Sequence, residues 1–239
     1  GPDGLTVATS TGAFADKNVG AGKTLSITAL TLAGADAGNY ILGAITASTT
    51  ADITPAAITA VSGITADSKV YDATTAAVLN TRAATFSGKL GSAVPIITGG
   101  AGAFADKNVG VGKTVSITGL TFGGADAGNY TFASNTAQTT ADIAPATISA
   151  ITGITANNRV YDTTTAATLN AGSAGFTGRL GSDVLTVATS TAAFADKNVG
   201  TAKTVSITGL TLGGADAANY TLAASTASTT AGITAPTIS

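Results

Sequence analysis

The stretch Phe104-Ala-Asp-Lys-Asn-Val-Gly-Val-Gly-Lys-Thr-Val-Ser-Ile-Thr-Gly-Leu120 contains the two signals that decide the fold. In its second half, Val115 and Ile117 fall on one side of an extended chain and hydroxyl residues on the other. This period of two predicts a β-strand with one buried and one wet face. The first half, Asp106–Gly110, is rich in residues whose side chains bond the local backbone or which accept positive φ. We therefore predict a turn followed by a half-buried strand.

This stretch belongs to a repeat of 90 residues. Its first seven residues recur with the same spacing (104 − 14 and 194 − 104), beginning at Phe14, Phe104 and Phe194. A second motif, Gly-Ala-Asp-Ala-x-Asn-Tyr, keeps the same register at Gly34–Tyr40, Gly124–Tyr130 and Gly214–Tyr220. An undisturbed period of this length indicates a tandem array of small modules, each packed against its neighbours.

The best module boundaries lie at Pro55 and Pro145, because proline cannot donate to a strand ladder and therefore suits a junction. On this phase, residues 1–55 are the C-terminal part of one repeat, and residues 56–145 and 146–239 are complete modules. The junctions contain no Gly/Ser linker. We therefore expect the modules to form a stiff, elongated rod.

The expected fold class is all-β: tandem small β-modules, β-grasp-like or sandwich-like, with at most one short helical turn each. Gly124–Tyr130 predicts that turn, with Asp126 as its N-cap and Asp36 and Asp216 in the equivalent places. A β-solenoid is the alternative fold. Within 146–239 we expect the core to use Ile148, Ile151, Ile154, Val160, Tyr161, Leu169, Phe176, Leu180, Val184, Leu185, Val187, Phe194, Val205, Ile207, Leu210, Tyr220 and Leu222.

Composition excludes several function classes. The chain has no cysteine and no histidine, and its acidic residues are all aspartate, so the usual catalytic triads, thiolate metal sites and glutamate pairs are absent. The net charge of −2, with 10% charged residues, provides no basic surface for nucleic acid. No apolar run approaches the about 20 residues of a membrane-spanning helix. We therefore expect no enzyme, no cofactor, no nucleic-acid partner and no membrane span.

A third repeated segment resembles a known family. The stretches Lys69-Val-Tyr-Asp-Ala-Thr-Thr-Ala-Ala77 and Arg159-Val-Tyr-Asp-Thr-Thr-Thr-Ala-Ala167 are similar to the signature of YDG-type repeats, which are related to the mostly-β-grasp repeats of large bacterial adhesins. Ala73 and Thr163 stand where the family name leads one to expect glycine, which puts the local turn geometry in question. The resemblance implies a filamentous-haemagglutinin-like exoprotein of a Gram-negative bacterium, exported by two-partner secretion.

Two kinds of candidate site stand out. The carboxylate and amide oxygens of one loop could serve as calcium ligands, at Asp16, Asn18, Asp106, Asn108, Asp196 and Asn198. Each loop offers only one carboxylate, so turn-forming and helix-capping roles are the favoured interpretation. The pairs Tyr71–Asp72 and Tyr161–Asp162 could contact a partner. We favour a core tyrosine whose hydroxyl bonds locally, followed by an aspartate that begins a turn.

Two functions remain as hypotheses. The first is a stalk or fibre body of a secreted adhesin at the bacterial surface that supports adhesion or biofilm formation. Its partners would be neighbouring repeats, and lateral self-association through unpaired sheet edges would build fibres. The second is a glycan- or matrix-binding module whose partner is a polysaccharide or host surface. That role needs exposed aromatic side chains, and aromatic residues make up only 5% of the chain.

Overall fold

The computed structural model describes residues 4–238. Strands make up 55% of the chain, and the described residues contain no helix of seven or more residues, so the predicted all-β class is confirmed. The sheets curl into half-barrels. Within 4–238, no helix has the length and apolar character needed to cross a membrane.

The strands of the first two predicted repeats alternate between long hairpins and very short pairs. Residues 1–55 contain β1 (Thr6–Phe14), β2 (Gly20–Ala33) and β3 (Ala47–Ile53). Residues 56–145 contain β4 (Ala56–Ile58), β5 (Ala60–Ser62), β6 (Thr65–Ala66), β7 (Lys69–Val70), β8 (Ala76–Ala77), β9 (Leu79–Asn80), β10 (Thr85–Ser87), β11 (Ile96–Phe104), β12 (Gly110–Gly123), β13 (Tyr130–Phe132) and β14 (Ala137–Ala144).

The third predicted repeat follows the same order of long and short strands. It contains β15 (Ala146–Ile148), β16 (Ala150–Thr152), β17 (Thr155–Ala156), β18 (Arg159–Val160), β19 (Leu169–Asn170), β20 (Gly175–Thr177), β21 (Thr186–Phe194), β22 (Gly200–Gly213), β23 (Tyr220–Leu222) and β24 (Ala227–Thr234). One turn of 3-10 helix precedes each Tyr of the second motif, at Ala37–Asn39, Ala127–Asn129 and Ala217–Asn219.

Each repeat is built on a long antiparallel hairpin. In the third repeat the strand order is β18-β24-β22-β21, and β18 runs parallel to β24. The second repeat has the related order β7-β14-β12-β11-β8, and the first has β1-β2-β3. The strand that follows each proline junction pairs in parallel with the strand after the helical turn: β4 with β13, and β15 with β23. This parallel pair links the start of a repeat to its end.

The chain divides into two compact units that differ from the predicted modules. Unit 1 contains Gly1–Ile64, Thr81–Gly100 and Thr118–Ala137, and unit 2 contains Thr65–Asn80, Ala101–Ile117 and Gln138–Ser239. Each unit therefore combines parts of consecutive sequence repeats. The module boundaries at 56–145 and 146–239 stay predictions.

The hydrophobic alternation was interpreted correctly on the long strands. Val115, Ile117, Val205 and Ile207 are all buried, whereas the hydroxyl residues between them face solvent. Burying such a side chain stabilises the fold by about 1.5–3 kcal/mol. The core of unit 2 also includes Phe104, Ile143, Ile148 and Leu185.

Two of the predicted core positions, Val160 and Val184, are exposed, so these two predictions are wrong. Val160 is 55% exposed and Val184 is 54% exposed. Successive side chains of extended backbone point to opposite sides. The next residue packs inward in both cases: Tyr161 lies against the Phe194 cluster, and Leu185 is buried. The two valines therefore point outward.

The predicted helical turn is present with Asp126 at its N-cap position, but the capping is not done by the side chain. Asp126 precedes Ala127–Asn129, and its side chain makes no capping hydrogen bond; the same holds for Asp36 and Asp216. Instead, the backbone carbonyl of Asp126 accepts a hydrogen bond from the N–H of Asn129 at 3.0 Å. A turn of three residues is closed by its backbone, so the carboxylate is free to act elsewhere.

Candidate functional site

The loop of the first motif has the same internal geometry in all three repeats. A carboxylate oxygen of its aspartate accepts a hydrogen bond from the backbone N–H two residues later at 2.8 Å, in Asp16–Asn18, Asp106–Asn108 and Asp196–Asn198. The same oxygen pairs with the ammonium of Lys23, Lys113 or Lys203. These lysine hydrogen bonds, followed by the backbone bond, lower the pKa of each aspartate.

This geometry bears on the calcium candidates. In each loop the carboxylate already accepts the hydrogen bond of the turn and pairs with the lysine. Asn108 Oδ1 accepts a hydrogen bond from another residue, Asn219, at 3.1 Å. In the part of the chain that the structure describes, no three acidic side chains lie close enough to hold a metal ion together.

The two most regular sequence motifs meet each other across consecutive repeats. In unit 2, the N–H of Val109 donates to Asn219 Oδ1 at 2.9 Å, and Asn219 Nδ2 donates to Asn108 Oδ1 at 3.1 Å. In unit 1, Val19 and Asn18 make the same two bonds to Asn129, at 2.8 and 3.1 Å. The sequence separations, 110 and 111 residues, are identical. We call the contact in unit 1 junction I and that in unit 2 junction II.

Junction II also contains a buried carboxylate. Asp183 is 5% exposed. Its Oδ1 accepts from the Lys107 ammonium at 2.8 Å, and its Oδ2 accepts from the hydroxyls of Tyr71 and Tyr220 at 2.8 and 2.7 Å. The two tyrosine rings pack edge to face with centroids 5.5 Å apart. Lys107 lies 3.6 Å from Asp216 as well, and 5.7 Å from the centroid of Tyr71.

The electrostatics of junction II hold these groups in fixed protonation states. Burial raises the pKa of the Asp183 carboxyl, but the bonds from Lys107, Tyr220 and Tyr71 outweigh burial, and the net pKa lies below its ordinary value. The bond to Asp183 raises the pKa of Lys107. Burial raises the pKa of Tyr220 to about 12. At neutral pH the cluster is an ion pair with two neutral phenols, and both carboxylate oxygens accept hydrogen bonds.

Junction I has the same framework with a different centre. Ala93 occupies the position of Asp183, and among the described residues the lysine of this loop, Lys17, pairs with Asp126, at 3.3 Å. The side chain of Lys17 is 77% exposed, compared with 37% for Lys107. Tyr130, the equivalent of Tyr220, is half-buried. The position 90 residues before Tyr71 precedes residue 1 of the sequence.

The Val-Tyr-Asp segment forms the predicted turn at its aspartate. Asp72 Oδ1 accepts from the Thr74 backbone N–H at 2.9 Å, from its hydroxyl at 2.8 Å and from Lys69 at 2.7 Å. Asp162 repeats the pattern with Thr164 and Arg159. The residues in the glycine position, Ala73 and Thr163, adopt φ of +62° and +69°. The backbone therefore keeps a left-handed conformation that glycine would adopt without strain.

The tyrosines of this segment differ from the prediction. Tyr71 is a core residue, 2% exposed, but its hydroxyl does not bond locally: its partner, Asp183, lies 112 residues away in the next repeat. Tyr161 is only partly buried and packs against the cluster around Phe194 and Val205. Identical sequence spacing thus concealed two different environments, because the partner of Tyr71 comes from a different repeat.

Comparison with known families agrees with the repeats. The YDG domain family matches three segments of the chain: residues 1–51, 54–139 and 144–230. The chain belongs to the YDG domain family. Neither the curated proteins nor the solved structures contain a significant match to it.

Sequence reasoning missed the residues that join one YDG repeat to the next. The sequence patterns identified neither Lys107 nor Asp183 as a contact between repeats. The sequence did contain a clue to Asp183. Gly91-Ser-Ala93 and Gly181-Ser-Asp183 occupy equivalent positions in two repeats, and the last residue changes from alanine to a charged aspartate. Asp216, predicted as a cap, instead accepts from the N–H of Val184 at 2.8 Å. Asp36 accepts from the N–H of Gly4 at 3.3 Å.

Proposed function

We propose that this chain is a structural region, a stalk or fibre body, of a secreted adhesin at the surface of a Gram-negative bacterium. The observation that carries the proposal is the repeated junction: the loop of one repeat bonds the same asparagine of the next, at both places where the chain allows it. A contact that recurs with the period of the sequence is what an array needs to transmit stiffness along its length.

The chemistry of junction II supports a mechanical role. Its carboxylate is ionised, buried and bonded through both oxygens, and its lysine is protonated. An unprotonated amine or a carboxyl with a raised pKa would suit catalysis. The groups at junction II are shifted in the opposite directions. The cluster therefore serves to hold consecutive repeats together.

The wider setting follows from the resemblance of the Val-Tyr-Asp segments. We assign the repeats to the mostly-β-grasp type, arranged as a rod, in a filamentous-haemagglutinin-like protein exported by two-partner secretion. In this setting the stalk supports adhesion or biofilm formation. Thr-rich outer strand faces, such as Thr204, Thr208 and Thr211 in β22, are exposed and uncharged. These faces suit lateral self-association of such stalks better than binding of a charged ligand.

Small-angle X-ray scattering and negative-stain electron microscopy of the 239-residue chain test the stalk. We expect a stiff particle whose length increases with the number of repeats. The double variant Asn129→Ala/Asn219→Ala should become more flexible, because it removes the asparagine from both junctions. Asn39→Ala is the matched control: the same substitution at the equivalent, exposed position of the first repeat.

Two outcomes would contradict the proposal. The first is a compact globule for the unmodified chain, and the second is equal flexibility of the double variant and the control. A glycan array separates the alternative role. A single saturable signal that is lost on substitution of Tyr40, an exposed aromatic residue of the described chain, would favour a glycan-binding module.

A further inference from the structure

The two edge strands of the five-stranded sheet in the second repeat are neighbours along the chain. β7 (Lys69–Val70) forms one edge and β8 (Ala76–Ala77) forms the other, and only residues 71–75 lie between them. β8 pairs with β11 at Gly102 and Ala103, so it covers part of an edge on which a strand of another chain could otherwise pair. A contact that holds β7 and β8 together therefore closes this sheet.

A single side chain joins the two edges. The ammonium of Lys69, on β7, donates to the backbone carbonyl of Ala76, on β8, at 3.0 Å. It also donates within the connecting loop, to Asp72 Oδ1 at 2.7 Å, to the Thr74 carbonyl at 2.9 Å and to the Thr74 hydroxyl at 3.1 Å. The ammonium lies over the Phe104 ring, 5.4 Å from its centroid. Four oxygens thus surround a group with three N–H donors, and the side chain is only 18% exposed.

The third repeat has arginine in the same place, and the guanidinium fits the loop less completely. Arg159 donates to Asp162 Oδ2 and to the Thr164 hydroxyl, each at 2.9 Å, and to the Thr164 carbonyl. Within residues 4–238, its Nε is buried without a hydrogen-bond partner, and no hydrogen bond from the guanidinium reaches Ala166, which aligns with the start of β8. Ala166 forms a single bridge instead of a two-residue strand. A buried N–H without an acceptor costs free energy.

The pKa values of the two loop aspartates reflect the same difference. The hydrogen bond from Lys69 is the largest cause of the lowered pKa of Asp72. The pKa of Asp162 is lowered mainly by the bonds from Thr164, and the charge of Arg159 contributes less. The lysine is thus the dominant partner of its aspartate, and the arginine is not.

We propose that Lys69 is a latch that holds the two edge strands of its sheet together, and that the loop between them is an oxygen cage matched to a lysine ammonium. The ammonium is compact, and its three N–H groups are shared among a carboxylate, a hydroxyl and two carbonyls, whereas the planar guanidinium donates in a fixed fork. Arginine in the cage therefore keeps the aspartate and the threonine and loses the carbonyl of the opposite edge. The latch acts inside one repeat, and it does not depend on the stalk role proposed above.

Two equivalent amides beside the latch provide a matched measurement. The Phe104 N–H donates to the Thr75 carbonyl next to β8, and the Phe194 N–H donates to the Thr165 carbonyl in the third repeat, each at 2.8 Å. Nuclear magnetic resonance follows the hydrogen exchange of both amides in the labelled 239-residue chain. Lys69→Met keeps the apolar stem and removes the donors. Exchange at Phe104 should become at least about 10-fold faster, while exchange at Phe194 stays unchanged.

Exchanging lysine and arginine tests the cage itself. Lys69→Arg should accelerate exchange at Phe104 by a smaller factor than Lys69→Met, and because it keeps the charge it tests the latch even if the methionine variant does not fold. Arg159→Lys should slow exchange at Phe194, since lysine reaches the opposite edge and leaves no buried donor unpaired. Unchanged exchange at Phe104 in either Lys69 variant, equal acceleration of both amides in Lys69→Met, or no slowing at Phe194 in Arg159→Lys would overturn the proposal.

Discussion

Junction I and junction II are built from the same two sequence motifs and the same asparagine bonds, yet only junction II encloses a charge. Asp183 bonds Lys107 and two tyrosines there, whereas junction I has Ala93 and leaves Lys17 largely in solvent. The asparagine follows the same trend: Asn219 is 4% exposed, and Asn129 is half-buried. The period of the sequence thus sets where repeats touch, and the non-repeated Asp183 adds a buried ion pair to one of these contacts.

The difference also shows why repeats of one family need not be equal in stability. A buried ion pair stabilises a fold only when its remaining hydrogen-bonding positions are filled. The tyrosine hydroxyls fill them in junction II. In junction I, Lys17 has no buried carboxylate of this kind to pair with, and its side chain stays largely exposed to solvent. We therefore expect unit 2 to resist unfolding at its junction more than unit 1 does.

The largest effect is expected from Asp183→Ala, which converts the centre of junction II to that of junction I. Removing Asp183 leaves two phenols without their acceptor and leaves the Lys107 ammonium with Asp216 alone, 3.6 Å away, and we expect a loss of about 3 kcal/mol. Urea unfolding of the variant measures this loss. The control, Asp106→Asn, alters an exposed ion pair and should cost less than about 1 kcal/mol. Equal costs for the two variants would show that the buried carboxylate does not distinguish the junctions.

The pH dependence of stability should follow the same cluster. The lowered pKa of Asp183 contributes stability that is complete above the unfolded value of about 4 and is lost as the pH falls through the folded value. The pKa of Tyr220, raised to about 12, contributes stability that is complete below about pH 10 and is lost between there and pH 12.

Asp183→Asn keeps the shape of the side chain and removes its charge, so it isolates this contribution. Unfolding midpoints measured across pH should fall less steeply at both extremes in this variant than in the unmodified chain. The other aspartates with lowered pKa titrate in both proteins and cancel in the comparison. Superimposable profiles of stability against pH would be inconsistent with a role for Asp183.

A smaller difference is expected between Asn219→Ala and Asn129→Ala. Each variant removes the acceptor of a backbone N–H and the bond between the two asparagine side chains. Because Asn219 is buried, its loss leaves Val109 N–H away from water and should cost about 2 kcal/mol, whereas Asn129→Ala should cost about 1 kcal/mol. Denaturant midpoints of the two variants measured side by side check the order. A larger cost for Asn129→Ala would reverse our ranking of the junctions.

The smallest effects are expected at one left-handed position of the long hairpins. Gly209 in unit 2 has φ +65°, and its equivalent in unit 1, Ala29, adopts φ +55°. Gly209→Ala should cost about 1 kcal/mol, and Ala29→Gly should stabilise by up to about 1 kcal/mol. Thermal unfolding detects both changes. A loss of stability in Gly209→Ala together with a gain in Ala29→Gly would confirm that backbone strain at Ala29 lowers the stability of unit 1 independently of its junction. A loss of stability in Ala29→Gly would contradict it.

Much of the fold was predictable because it depends on local patterns. The alternation at Val115 and Ile117 identified a strand and its buried face, and Asp106 with Asn108 identified a turn, since both signals act over a few residues. The same reasoning failed at Val160 and Val184, which are apolar but lie next to a residue that packs inward. Hydrophobicity alone does not say which of two neighbours faces the core.

The candidate site was largely unpredictable because its parts come from different repeats. The sequence showed that Asn108 and Asn219 recur, but their contact spans 111 residues. Tyr71 and Asp183 are 112 residues apart, and nothing local to either residue identifies the other. The Val-Tyr-Asp turn shows the opposite case. Its left-handed residue, Thr163, could be foreseen from the family's glycine, since that conformation is a property of the turn itself.

The sequence by itself determined the 90-residue period, the all-β class, the turns and the YDG resemblance, because each depends on spacing or composition within a short stretch. Only the tertiary structure decided that the two regular motifs bind each other, and that Asp183 is buried in one junction while Ala93 takes its place in the other. The physical reason is that a buried charge depends on groups brought together from distant parts of the chain. A repeated sequence specifies the framework, and the packing of one repeat on the next determines which side chains leave water.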